Sequence, residues 1–139
     1  MKVDVNWLAK DFHMEAGNEE GGKIRMDGNT NIGGLEGGMS PMQLLLAGIG
    51  GCSAIDVISI LEKQKQDIKS LKVEVDADKQ RVDDSYSEFK TIHMHFILTG
   101  NLDEKKVKRA LDLSITKYCS VSKALEKGSE ISYNFEIVH

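Results

Sequence analysis

Residues 40–61 read SPMQLLLAGIGGCSAIDVISIL, and this stretch decides the fold. Ser40 is a good N-terminal cap for a helix, and Pro41, the only proline of the chain, suits the first helical position, where a missing N–H costs nothing. Apolar residues follow on nearly all sides, which is typical of a helix buried on most of its faces. The pattern predicts a helix over roughly residues 41–65.

Three glycines interrupt this helix, at positions 48, 50 and 51. Each is about 1 kcal/mol less favourable than alanine inside a helix, so something must offset their cost. Two features could offset this cost: the close approach of another helix, or the close approach of a substrate. A single domain has too little surface to cover such a helix on every side. The stretch therefore predicts a homodimer with this helix at the shared core.

The segments on either side alternate apolar and polar residues, as half-buried strands do. A glycine-rich loop is predicted at residues 31–38. The predicted elements, in chain order, are strands at about 3–7, 12–16 and 23–27, the helix at 41–65, strands at 69–81 and 88–99, helices at 103–117 and 120–127, and a strand at 130–138. This order indicates a single α+β domain, residues 1–139, in which helices cover antiparallel sheet.

Composition excludes several classes of function. The 139 residues, 40% hydrophobic and 29% charged, fit one ordinary globular domain. The net charge of −4 gives no basic surface for nucleic acid. Asp4 lies within a start that has no apolar run, unlike a signal peptide, and Gln43 and Asp56 favour a buried helix over a membrane span. We expect a cytoplasmic protein without nucleic-acid or membrane partners.

The chain contains two cysteines, Cys52 and Cys119, in unlike settings. Cys119 is the predicted N-cap of a short helix, where free N–H groups and the helix dipole stabilise a thiolate, and Lys117 and Lys123 add positive charge. Cys52 lies mid-helix, where the dipole contributes little, and its local features favour a small apolar residue in a tight contact. Local features alone thus rank Cys119 as the better candidate for an activated thiol. For both cysteines, the alternative that the side chain is merely buried stays open.

Other candidate residues have weaker support. His93 and His95 point to the same side of one predicted strand and could be two metal ligands, but no third ligand is apparent, and a solvated strand face is the expected setting. Asp56, one helical turn after Cys52, either pairs with a lysine or tunes a thiol. Residues 33–38 are not a phosphate loop, because no Gly-Lys-Ser/Thr follows them. We expect no metal and no cofactor.

Several stretches resemble the OsmC/Ohr family of thiol-dependent peroxidases. They are SPMQL at residues 40–44, AGIGGC at 47–52 and CSVSKAL at 119–125. Within the family, GGCSAIDV at 50–57 and KYCSV at 117–121 are similar to the YhfA-type branch of OsmC-like proteins. The element order fits this family across nearly the full length.

The resemblance implies an OsmC-like fold, an intertwined homodimer in which antiparallel sheets wrap long central helices. It also implies that Cys52 is the peroxidatic cysteine, whose thiolate attacks an organic hydroperoxide and becomes a sulfenic acid. Cys119 would be the resolving cysteine that forms a disulfide with it, and a dithiol such as dihydrolipoamide would reduce the pair. The implied role is antioxidant, in a stress response. This reverses the ranking that local features give the two thiols.

The chain departs from the family pattern in the groups that activate the thiolate. Active members have a glutamate directly after the proline, where this chain has Met42. They also have an arginine upstream, whereas residues 28–39 contain no basic residue. The nearest charged residues that could replace the missing arginine and glutamate are Arg25, Lys23 and Glu36.

The departures leave a second hypothesis from a different class. On the same scaffold the protein would bind or sense a small apolar or electrophilic molecule, in a pocket beside Met39 and Met42, with little turnover at the cysteines. The third hypothesis is that both cysteines have a purely structural role. A depressed pKa of Cys52 would favour the peroxidase over the binding protein.

Overall fold

A computed structural model of the chain describes residues 1–28 and 37–139. The chain divides into two compact units, Met1–Leu45 and Leu46–His139. The α+β class and the predicted order of elements are confirmed, from three strands and a long helix to the final strand. The predicted glycine loop at residues 31–38 lies largely outside the described residues, as does Glu36.

The first unit contains a three-stranded antiparallel sheet in the order β1-β2-β3. Its second strand begins two residues later than predicted, at Met14, because Ala9 and Asp11 take positive φ values of 60° and 48° in a turn that still includes Phe12. The strands are β1 (Val3–Trp7), β2 (Met14–Asn18) and β3 (Lys23–Met26).

The long helix α1 (Pro41–Lys63) begins as predicted. The Gln43 N–H donates to Ser40 Oγ at 3.2 Å, and the Ser40 N–H donates to Gln43 Oε1 at 2.9 Å. This reciprocal capping box satisfies two of the N–H groups that a helix start leaves free. The helix ends two residues before the predicted end, because Lys65 takes a φ of 59° and turns the chain into the next strand.

The second unit contains a three-stranded sheet in the order β4-β5-β6. Its strands are β4 (Asp67–Arg81), β5 (Ser87–Asn101) and β6 (Glu130–Val138). β4 and β5 pair antiparallel around the predicted turn, but β5 and β6 pair parallel, with Phe96 opposite Phe135. The antiparallel prediction therefore does not hold for this last pair, because the helices between β5 and β6 form a crossover that returns the chain to the same end of the sheet.

The core of the second unit lies where α1 meets this sheet. A Cβ placed on Gly50 would lie 3.0 Å from Val75 Cγ2, so the close approach of β4 explains this glycine. Phe96, fully buried, meets the Tyr133 ring edge to face at a centroid distance of 6.3 Å. The other fully buried apolar side chains of α1 and β5 are Ile49, Val57, Leu61, Ile92, Met94 and Leu98.

The opposite side of α1 is open in the single chain, in keeping with the expectation that one domain cannot cover this helix on every side; the homodimer itself stays a prediction. Ile55 is 70% exposed and Ile58 36%, and a Cβ on Gly51 would meet nothing within 4 Å among the described residues. We call Gly51, Ile55 and Ile58 the open face of α1. By length and composition alone α1 could cross a membrane, with a mean hydropathy of 2.1, but core helices of soluble proteins pass the same test. The open face is apolar surface that residues 1–28 and 37–139 leave uncovered.

The predicted helix at residues 103–117 is two segments in the structure. α2 (Glu104–Leu113) starts at Asp103, whose carboxylate accepts the Lys105 N–H at 2.9 Å, and a π-helical segment (Ser114–Tyr118) follows it. The Cys119 N–H donates to the carbonyl oxygen of Ser114, five residues earlier, at 2.7 Å. This wider turn ends at Cys119, which is the N-cap of α3 (Ser120–Leu125), as predicted.

Candidate active site

The two cysteines meet where α1 faces the start of α3. Their Sγ atoms lie within 4.8 Å of each other, and both are free thiols. Cys119 is fully buried, whereas Cys52 is half-buried. A disulfide needs an S–S distance of about 2.05 Å, so closing the pair requires a modest local movement. The structure thus brings the two predicted residues together, while their catalytic roles stay a prediction.

The first turn of α3 supplies hydrogen bonds to both sulfurs. The Ser122 N–H donates to Cys119 Sγ at 3.4 Å, while the N–H groups of Val121 and Ser120 are directed at Cys52 and lower its pKa. Cys52 lies in the middle of its own helix but at the N-terminus of another. Cys52 thus receives N–H groups from α3 that were not expected from its position in the middle of α1.

The environment of Cys119 favours its thiolate. Burial by itself would raise the pKa of the Cys119 thiol, but the hydrogen bonds from Ser122 and Ser53 outweigh burial and lower it. Ser53 Oγ donates to Cys119 Sγ at 3.4 Å. The buried Ser122 hydroxyl has no hydrogen-bond partner among the described residues.

The environment of Cys52 has the opposite effect. Burial raises the pKa of the Cys52 thiol, and its hydrogen bond to Cys119 and the charge there raise it further. The N–H groups of Val121 and Ser120 only partly compensate. Of the two sulfurs, Cys119 is therefore the one whose thiolate is favoured, with Cys52 as a hydrogen-bond donor to it.

We predict that Ser53→Ala raises the pKa of the Cys119 thiol, since the variant loses a hydrogen bond that favours the thiolate. The thiolate fraction at a fixed pH then falls, and its titration curve moves to higher pH. Ultraviolet thiolate absorbance in a Cys52→Ser background measures this curve for a single thiol. Ser59→Ala, on the same helix, is the control, and an equal shift in both variants would contradict the role of Ser53.

Asp56 completes the cluster. Its carboxylate oxygen lies within 4.8 Å of both sulfurs, and Ser114 Oγ donates to Asp56 Oδ2 at 3.0 Å. Ser114 also accepts the Cys119 N–H, so one buried residue positions two members of the site. Sequence reasoning left Asp56 between a structural and a tuning role and missed Ser114. The available signal was a serine on the otherwise apolar face of the predicted helix.

A cavity of about 520 Å³ lies beside the cluster and shares Asp56 with it. Its lining mixes charged, polar and apolar side chains: Asp56, Ser59, Ile60, Lys63, Gln64, Leu113 and Tyr118. A small molecule with both apolar and polar parts would fit such a lining. The pocket predicted beside Met39 and Met42 stays a prediction.

The two cations considered as substitutes for the family's arginine lie in the first unit. Arg25 Nε lies 3.0 Å from Glu15 Oε2, and Lys23 Nζ lies 3.8 Å from Glu15 Oε1. Both therefore share a carboxylate partner within that unit. Among the described residues, the groups that stabilise a thiolate at the cysteines are serine hydroxyls and backbone N–H groups.

His93 and His95 lie away from the cysteines on the outer face of β5. His93 contacts Ser132 Oγ at 2.8 Å and Asn134 Oδ1 at 3.0 Å through its two ring nitrogens. His95 contacts Asn134 Oδ1 at 2.6 Å and Glu136 Oε1 at 3.0 Å. The four ring nitrogens thus have polar partners on β6, which supports the expected solvated strand face.

We predict that proton NMR gives His95 a pKa above the ordinary value of about 6.5, because hydrogen bonds to Glu136 and Asn134 favour the charged ring. A raised folded-state pKa stabilises the fold below the unfolded-state pKa, and this contribution is lost as the pH rises through the folded-state value. Glu136→Gln should lower the pKa of His95, and Glu130→Gln, on the same strand, should not. An unchanged pKa in Glu136→Gln would refute the ion pair.

Residues 33–134 match the family model described as OsmC-like protein. The chain is 39% identical over 139 residues to Protein YhfA of Escherichia coli (strain K12), covering 99% of this chain and 98% of the relative. Coverage of both chains is nearly complete, so the similarity extends through both compact units.

Two solved structures illustrate the shared fold. An OsmC-like protein from Mycoplasma pneumoniae superposes with a TM-score of 0.82 at 19% identity, covering 99% of this chain and 96% of that one. The organic hydroperoxide resistance protein OhrB of Bacillus subtilis superposes with a TM-score of 0.65 at 19% identity, covering 97% and 96%. At such identities the likeness concerns the fold alone.

Proposed function

The chain belongs to the OsmC-like protein family, and from this premise we propose that it is a cytoplasmic thiol peroxidase that reduces organic hydroperoxides through Cys52 and Cys119. The observation that carries the proposal is the meeting of two free thiols within 4.8 Å beside the N–H groups of α3. The solved relative named for organic hydroperoxide resistance supports a peroxide as the substrate class.

In the first step Cys52 is the nucleophile, since it is the more exposed of the two sulfurs. The Cys119 thiolate accepts the Cys52 proton, and the Cys52 sulfur attacks the terminal oxygen of the hydroperoxide. The O–O bond breaks, the alkoxide takes the proton that Cys119 had accepted and leaves as an alcohol, Cys119 is again a thiolate, and Cys52 becomes a sulfenic acid. The lowered pKa of Cys119 keeps its sulfur ionised, and so able to accept a proton, over a wider pH range.

In the second step the Cys119 thiolate attacks the sulfenic sulfur of Cys52. Hydroxide leaves and takes a proton from solvent to become water, and a disulfide joins α1 to the N-cap of α3. An external dithiol of the dihydrolipoamide type then reduces this disulfide to two thiols and is itself oxidised to a disulfide. Two electrons pass from the dithiol to each hydroperoxide, and no bound cofactor is required.

The protein is further proposed to act as a homodimer through the open face of α1. Gly51, Ile55 and Ile58 present an apolar strip with room for the close approach of a second helix. Exposed strips of this kind mark interaction surfaces. The identical helix of a second chain is the occupant that matches this strip.

The cavity beside Asp56 favours a second candidate function, binding or sensing of a small molecule. The raised pKa of Cys52 and the nearby carboxylate both disfavour a Cys52 thiolate, which suits a binding protein better than an enzyme. In this case a ligand fills the cavity of about 520 Å³ and the cysteines turn over slowly.

Single-turnover consumption of cumene hydroperoxide by the reduced protein tests the proposed enzyme. We expect loss of two thiols per chain, at a rate far above that of free cysteine. Thiols counted before and after the reaction give the stoichiometry, and free cysteine at equal thiol concentration is the control. Retained thiols, or a rate no better than that of free cysteine, would favour the binding protein instead.

A further inference from the structure

Three potential metal ligands converge at the cysteine pair. They are Sγ of Cys52, Sγ of Cys119 and a carboxylate oxygen of Asp56, and all three atoms lie within 4.8 Å of one another. We propose that the reduced chain binds one Zn²⁺ ion through these three atoms and that the bound ion blocks oxidation of the thiols. The inhibition rests on the proposed peroxidase function, whereas the binding of Zn²⁺ does not.

The chemistry of the three ligands matches Zn²⁺. Thiolate sulfur and carboxylate oxygen are both common zinc ligands, and the dianionic thiolate pair favours a soft divalent cation over Mg²⁺ or Ca²⁺. Tetrahedral zinc has Zn–S bonds of about 2.3 Å, which puts two sulfurs about 3.8 Å apart. The present spacing therefore needs a contraction of about 1 Å or less. Three protein ligands leave a fourth position for water.

The surrounding groups already orient these ligands. Ser114 Oγ donates to Asp56 Oδ2 at 3.0 Å, and Cys119 Sγ accepts hydrogen bonds from Ser53 Oγ and the Ser122 N–H at 3.4 Å each. Outer partners of this kind hold metal ligands in place, and their loss typically costs about 10–100-fold in metal affinity. The Asp56 carboxylate also lines the cavity, which provides a route for a hydrated ion.

Charge gives a reason for the site to take a cation. Two thiolates and a carboxylate would place three negative charges within 4.8 Å of one another, which repulsion opposes in the absence of a counter-charge. Zn²⁺ supplies that charge. Binding requires both sulfurs as thiolates, so any proton that either sulfur still carries is released to solution, with no change in oxidation state.

The competing site on this chain is the histidine pair of β5. His93 and His95 have their ring nitrogens engaged with Ser132, Asn134 and Glu136. Among the described residues they do not converge with a third ligand as the cysteines do. They therefore serve as the control for adventitious binding.

Zn²⁺ titration of the fully reduced full-length chain, in competition with a chromophoric chelator and without air, tests the binding. We expect one Zn²⁺ per chain, loss of binding in Cys52→Ser and Cys119→Ser, and about 100-fold weaker binding in Asp56→Asn. Glu62→Gln, on the same helix, and the double variant His93→Ala/His95→Ala should bind as the parent does. Co²⁺ in place of Zn²⁺ should give thiolate-to-cobalt charge-transfer absorption that disappears in both cysteine variants.

Several results would overturn the proposal. Parent-like binding in Asp56→Asn or in either cysteine variant, loss of binding in the histidine variant, or binding by the disulfide form would each place the ion elsewhere. No binding to the parent would remove the site altogether. None of these measurements uses a peroxide, so failure of the zinc proposal can be distinguished from failure of the proposed peroxidase function. Where both hold, stoichiometric Zn²⁺ should slow the thiol loss caused by cumene hydroperoxide at least tenfold, and a chelator should restore it.

Discussion

Replacement of Cys52 by serine is expected to lower the rate of organic hydroperoxide reduction by at least about a thousandfold, because removal of a covalent nucleophile eliminates its whole contribution to the reaction. A serine hydroxyl in the same place is not ionised at neutral pH and cannot form a sulfenic acid. Peroxide consumption under single-turnover conditions measures the effect. Equal activity of Cys52→Ser and the parent would contradict the mechanism.

Cys119→Ser is the matched variant, and it should behave differently. One equivalent of hydroperoxide is still consumed, Cys52 stops at the sulfenic acid, and reduction by a dithiol no longer regenerates the enzyme through a disulfide. The first turnover should also be slower, since Cys119 accepts the Cys52 proton. A sulfenic-acid trap followed by mass spectrometry identifies the oxidised residue. If the Cys52→Ser variant kept full activity and its sulfenic acid were trapped on Cys119, then Cys119 would be the peroxidatic cysteine and Cys52 the resolving one.

Ile55→Asp is expected to convert a homodimer into single chains. Ile55 is 70% exposed in one chain and lies at the centre of the open face of α1, so the substitution should spare the fold of the chain itself. An unpaired charge buried in an interface costs about 3–5 kcal/mol, which weakens association roughly a hundredfold or more. Sedimentation equilibrium over a range of concentrations measures the mass and the dissociation constant.

Gln80→Asp introduces the same charge at an exposed position of β4 and should leave association unchanged. Circular dichroism should give parent-like spectra for both variants. A parent protein that sediments as one chain, or an Ile55→Asp variant that associates like the parent, would rule out the open face as a dimer interface. A loss of mass in both variants would point to a general effect of charge.

The fold could be predicted largely from local pattern. Ser40 and Pro41 marked the start of α1, and alternating residues marked β4, β5 and β6, because capping and strand periodicity depend on neighbours in the chain. The parallel pairing of β5 with β6 could not be predicted in this way, since strand direction depends on how the intervening helices cross the sheet.

The site was predictable only in part. The family resemblance identified Cys52 and Cys119 as site residues. The hydrogen bonds that the N–H groups of α3 give to Cys52, however, arise from packing between elements distant in sequence. A Cβ on Gly48 would lie 4.0 Å from Val121 Cγ1, so this glycine lies where α1 comes close to α3. Ser53 and Ser122 were missed because buried serines carry no distinctive pattern in a sequence.

The π-helical segment Ser114–Tyr118 makes the site depend on chain length as well as on side chains. Its hydrogen bond spans five residues instead of four, so this turn holds one residue more than an α-helical turn. Because the wide turn absorbs this residue, a single-residue deletion there would restore α-helical spacing and leave Cys119 bonded to Ser114, now four residues earlier. The same deletion in the regular turns of α2 would instead rotate Cys119 by about 100° relative to the residues before the deletion and turn its sulfur away from Cys52, although no residue that touches either thiol had changed. Point substitutions along the segment would leave this spacing intact, so the requirement is visible to deletions and hidden from alanine scanning.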